Sequence, residues 1–90
     1  MSQEWVKLYD TETGKAESSW IRSVGWNDGD LIVRRYEDDP TNPETILYDD
    51  IQYSVFQELK EVHENGGSIG SFLNERIIRN ENVDKGQKLD

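Results

Sequence analysis

Ninety residues with 19 acids against ten Lys and Arg make one small domain of net charge −9. That balance excludes a nonspecific grip on a nucleic-acid backbone or an anionic membrane, both of which need clustered cations, and favours a basic partner or a small ligand held in one local pocket. With no cysteine in the chain there is no disulfide framework, no thiolate metal site and no Cys nucleophile.

Hydrophobic residues are 33% of the chain, and three Trp and four Tyr add large buried areas, so a folded core is expected. The opening MSQEWVKLYD has no basic stretch followed by an apolar run, so it does not read as a signal peptide. No segment approaches the roughly 20 apolar residues that span a bilayer. A cytoplasmic protein without membrane contact is the expectation.

Residues 1–18 hold Trp5, Val6, Leu8 and Tyr9 before the turn-like DTETGK, and read as an N-terminal arm or an added strand. SSWIRSVGW reads as a strand. Two-residue alternation puts Trp20, Val24 and Trp26 on one face with Arg22 between them, and Ile21 on the other. Asp28-Gly29 is a tight-turn signal, and LIVRRY, rich in β-branched residues, is the returning strand of a hairpin over 20–36. EDDPTNPET is a surface loop. From Glu37 to Asp50 the chain carries six acids (Glu37, Asp38, Asp39, Glu44, Asp49 and Asp50) and no base. A third strand is expected over 45–48.

Asp49 or Asp50 is positioned to cap the next helix, in which Ile51, Val55, Phe56, Leu59 and Val62 form one apolar stripe. Gly66-Gly67 end it and Ser68 can cap a second helix carrying Ile69, Phe72, Leu73 and Ile77, with Ile78 as a further candidate for its apolar face. The two helices are expected over about 50–65 and 69–79, and 80–90 as a disordered tail. Strands grouped before helices imply an α+β fold: a small antiparallel sheet of three to four strands covered by two C-terminal helices.

The segments SSWIRSVGW (Ser19 to Trp26), Leu31-x-Val33, ILY (Ile46 to Tyr48), YSVFQEL and GSFLNERI (Gly70 to Ile77) stand in one order. In that order residues 19–79 resemble the KTSC domain, a module found at the C-terminus of some lysyl-tRNA synthetases and as small bacterial and phage proteins. The resemblance implies a non-catalytic binding module, and a role in RNA binding has been suggested for the family. The chain departs from the pattern at Ile46, at the long acidic loop and at Arg35.

Two functions are expected from different classes. One is recognition of a nucleotide or short RNA, as in a bacterial or phage protein that regulates or counters defence by holding a nucleotide signal. Its residues would be Arg22, Arg35, Tyr48, Asn74, Arg76 and Arg79. Arg76 and Arg79, three apart on a helix, would be neighbours, and Asn74 could equally be a buried amide bonded within its turn. Arg34 extends the basic hairpin, and Trp20, Trp26, Tyr36 and Tyr53 are aromatics that either stack bases or fill the core. The other function is an acidic interaction module that docks on a basic host protein through Glu37, Asp38, Asp39, Glu44, Asp49 and Asp50 and inhibits it. His63 lacks convergent partners, NDGD lacks the ligand spacing of a calcium loop, and no triad or phosphate loop is present. No catalytic residue, metal or cofactor is expected.

Overall fold

The computed structural model describes residues 3–39, 41–80 and 86–89. Strand β1 (Glu4–Lys7) opens the chain, and β2 (Ile21–Asn27) and β3 (Asp30–Arg35) form the hairpin. Strand β4 (Glu44–Tyr48), helix α1 (Tyr53–Glu64), helix α2 (Ile69–Leu73) with a π-helical continuation (Asn74–Ile78), and β5 (Gln87–Lys88) follow. The five strands make one antiparallel sheet in the order β1-β2-β3-β4-β5. The fold is α+β, as the element order predicts. It exceeds the expected three to four strands because the arm pairs with β2 at one edge and Gln87–Lys88 pairs with β4 at the other. The expectation of a wholly disordered tail is thereby corrected at 87–88; residues 81–85 and 90 lie outside the described residues.

The hairpin turns as its sequence dictates. Asp28 and Gly29 both have positive φ, 48° and 90°, which is the two-residue turn whose twist matches the flanking strands. Asn27 then pairs with Asp30, Trp26 with Leu31 and Val24 with Val33. Strict alternation fails at one place. The register shifts between Ile21 and Ser23, a β-bulge that inserts Arg22 as an extra residue. Ile21 therefore does not point away from Val24; both are fully buried in the same core, and Arg22 emerges on the opposite face with Ser23.

The core lies between the sheet and the helices. Val6, Leu8, Val24, Leu31 and Val33 meet Ile51, Phe56, Leu59, Ile69, Leu73 and Ile77, while Val55 and Val62 pack at its margin. Neither Asp49 nor Asp50 caps α1. The N-cap is Gln52, with no side-chain bond, and Asp50 is held at φ 57°. Ile51 must reach the core first, and its backbone is pinned to the hairpin. Its N–H donates to the Gly29 carbonyl at 2.8 Å, and its carbonyl accepts from Trp26 Nε1 at 2.9 Å.

The far end of α1 closes as predicted. Gly66 takes φ 77°, Gly66 N–H bonds the His63 carbonyl at 3.1 Å and Gly67 N–H the Val62 carbonyl at 2.8 Å, the Schellman arrangement. Ser68 Oγ accepts from Ser71 N–H, capping α2. The second helix is not α-helical to residue 79. After Leu73 it widens, and Arg79 N–H reaches the Asn74 carbonyl five residues back at 2.8 Å. Ile77 stays buried and Ile78 is left 47% exposed. No helix among the described residues is long and apolar enough to cross a membrane.

Candidate functional site

Helices cover one face of the sheet only. Because side chains alternate across a strand, the residues between the core positions all emerge on the other face. The registers align them: Trp5, Gly25, Ile32 and Leu47 lie in one line across β1 to β4, and Lys7, Ser23, Arg34 and Thr45 in the next. Trp5 and Ile32 of the first row and all four residues of the second line a shallow depression of about 680 Å³, completed by Tyr9 and Arg22 at one end and Leu89 at the other. The bulge puts the Arg22 guanidinium 5.7 Å from the Tyr9 ring centre.

Two properties mark this depression. In a chain of charge −9, no carboxylate among the described residues lines it. Among the described residues, none pairs with Lys7, Arg22 or Arg34. Its floor also carries an aromatic platform: the Trp5 indole lies on Gly25, where a Cβ would stand 2.7 Å from the ring, so only glycine allows this approach. Trp5 is 37% exposed, its other face turned to solvent. Free cations beside a flat aromatic surface can take a ligand that is both anionic and planar.

Of the six residues read from the sequence as ligand-binding, only Arg22 lies here. Arg34, read as part of the basic hairpin, joins it. Arg35 is on the helix side and pairs with Glu44 at 3.5 Å. Tyr48 is on that side too, against Ile77, and burial raises its phenol above the usual range. Arg76 is engaged by Glu58 in a bidentate pair, with Nη1 and Nη2 donating to the two carboxylate oxygens at 3.1 and 2.8 Å, over the Phe72 ring. That pair holds the Glu58 carboxyl below its usual range. Asn74 is half-buried and gives its carbonyl to the π turn, and Arg79 is exposed at the end of that turn. Arg76 is thus turned to Glu58 on α1.

The other aromatics weighed for stacking are engaged within the fold. Trp20 packs on Gly70, the Tyr36 hydroxyl donates to the Ser18 carbonyl, and Trp26 meets Tyr53 edge to face at 4.9 Å. Tyr53 donates in turn to Glu4, whose carboxylate also pairs with Lys60 at 2.7 Å and so ties β1 to α1.

The acidic residues are dispersed. Glu44 pairs with Lys88 at 2.9 Å as well as with Arg35, and the Lys88 bond lowers its carboxyl. Asp39 accepts from the Thr41 hydroxyl and N–H at 2.6 and 2.9 Å, which lowers it too. Glu37, Asp38, Asp49 and Asp50 are exposed. His63 is half-buried, with Nε2 3.5 Å from Glu17 and in no hydrogen bond.

Sequence reading passed over Lys7, Trp5 and Tyr9 as site residues. A signal was present: in EWVKLYD, Trp5, Lys7 and Tyr9 alternate with Val6 and Leu8 at the period of a half-buried strand. No protein-family model, curated protein or solved structure matches the chain.

Proposed function

We propose that this protein is a non-catalytic binding module of the cytoplasm that recognises a nucleotide or short RNA on the open face of its sheet. The observation that carries the reading is the depression in which, among the described residues, no carboxylate stands and none pairs with Lys7, Arg22 or Arg34 beside the Trp5 indole. Phosphate suits the cations and a base suits the indole, as on other antiparallel sheets whose exposed aromatics stack bases. The likeness of 19–79 to the KTSC domain belongs to the same proposal, but the site moves from Arg76 and Arg79 to the opposite face.

The acidic-module reading has less support. Glu44 and Asp39 are engaged within the chain, and the exposed pairs Glu37/Asp38 and Asp49/Asp50 lie beyond opposite ends of β4, about 17 Å apart at strand rise.

The test is thermal unfolding with mono-, di- and short oligonucleotides. Binding raises the midpoint by several degrees at about 100 times Kd. Arg22→Ala with Arg34→Ala abolishes that rise and Arg76→Ala leaves it. A midpoint that no nucleotide moves at millimolar concentration overturns the proposal.

A further inference from the structure

The two rows on the open face differ in kind. Trp5, Gly25, Ile32 and Leu47 make an uncharged row, with an indole seated on Gly25 at its β1 end and the aliphatic Ile32 and Leu47 at the other. Lys7, Ser23, Arg34 and Thr45 make a row of cations alternating with hydroxyls. The rows are two residues apart along each strand, about 7 Å, and neighbouring positions within a row are one strand spacing apart, about 4.8 Å. Lys7 and Arg34 therefore start about 10 Å from each other, two strand spacings, and their long side chains can reach separate phosphates.

From this order, and resting on the nucleotide-binding reading above, we infer that the ligand is a single-stranded oligonucleotide of two to three nucleotides laid across the strands, its bases on the Trp5 row and its phosphates on the Lys7–Arg34 row. The separation between rows is about the width of one sugar. From β1 to β4 the face spans about 15 Å, room for the two or three bases that an aromatic sheet face holds. Trp5 is the stacking residue, its inner face seated on Gly25 and its outer face open.

Length is limited by the width of the face. The sheet ends at β1, and a longer strand laid across it would carry its further nucleotides past the two rows.

The experiment is calorimetric titration of the full chain at low salt with uridine monophosphate, the di-, tri- and hexanucleotides of uridine, and tripolyphosphate as an anion without rings. The expected affinity rises about tenfold or more from mono- to trinucleotide and changes less than about twofold to the hexamer, with tripolyphosphate at least about tenfold weaker than the trimer. The slope of log K on log salt is expected at about −1.4 to −2, the value for two or three phosphates of a single strand. Trp5→Phe, which keeps a ring, should stay within about threefold of the parent, and Trp5→Leu, which keeps apolar area alone, should lose about fivefold or more. Circular dichroism checks that both variants are folded.

If the mononucleotide binds as tightly as the trimer, the two-row arrangement is wrong while nucleotide recognition stands. The same holds if Trp5→Leu binds like the parent. Tripolyphosphate binding as tightly as the trimer makes the face a plain anion site and removes both readings, as does failure of every probe to bind.

Discussion

Gly25 and Trp26 are neighbours with opposite duties. Gly25 faces the open side and supports the Trp5 indole, so its missing side chain is what lets a ring lie flat on the sheet. Gly25→Ala puts a methyl 2.7 Å from that ring, and the indole must swing outward. Because Trp5 is at an edge and partly exposed, the stability cost should sit near the low end for overpacking, about 1 kcal/mol in urea unfolding. Oligonucleotide affinity should fall with it, together with a shift in tryptophan emission; unchanged affinity would show that the flat platform is not used. Trp26 faces the other way and holds the hairpin to the entry of α1 through its bond to the Ile51 carbonyl. Trp26→Phe keeps the ring against Tyr53 but leaves that carbonyl without its donor, at a cost of about 1–3 kcal/mol. Trp26→Ala would confuse the lost bond with lost packing, so the phenylalanine variant is the cleaner measurement.

Elements specified by neighbours in sequence were legible, and those specified from a distance were not. The Asp28-Gly29 turn, the stripe of α1, its glycine stop and the Ser68 cap are local devices, and each lies where its residues place it. Gly29 takes φ 90°, so Gly29→Ala should cost about 1–2 kcal/mol and lower the unfolding midpoint by roughly 4–8 °C per kcal/mol. A variant as stable as the parent would mean the turn relaxes to another type. The bulge at Arg22 is different, because it reconciles two burials, Ile21 and Val24, that strict alternation sets on opposite faces. The π turn at Asn74 likewise follows from where Ile77 must dock. The strand β5 rests on two residue pairs with β4, too little to leave a periodicity. The site was half legible for the same reason. Arg22 and Arg34 stood out as basic residues on a hairpin, but their companions Trp5 and Lys7 come from β1, and only the pairing of β1 with β2 brings them alongside. The engagement of Arg76 was not legible, because its acid, Glu58, is 18 positions away on another helix.

At the scale of the whole molecule, two electrostatic effects oppose each other. Net charge −9 repels itself across a body of 36 × 30 × 29 Å, which destabilises the folded state and eases as acid neutralises carboxylates. Against this, Glu4, Glu44 and Glu58 are held below their usual value of 4.5 chiefly by hydrogen bonds from Lys60, Lys88 and Arg76, and Asp10 and Asp39 are held below 3.8 by hydrogen bonds within their turns. A carboxyl with a lowered folded pKa binds fewer protons folded than unfolded. Its stabilisation is therefore whole above the unfolded pKa and is lost as pH falls through the folded one. Lys60 is raised above 10.5 by the same Glu4 bond, so its share is whole below that value and is lost as pH rises past it. The expected profile of urea midpoints is a plateau from about pH 5 to pH 10 that falls below about pH 4 and again above about pH 10.5. Salt separates the two effects. At 0.1 M the screening length of about 10 Å is shorter than the molecule but longer than the 2.7–3.5 Å contacts, so added salt should lift the plateau while leaving the acid limb in place. A midpoint that climbs steadily as pH falls from 5 to 3 would show that self-repulsion, not the bonded carboxylates, sets the acid stability of this fold.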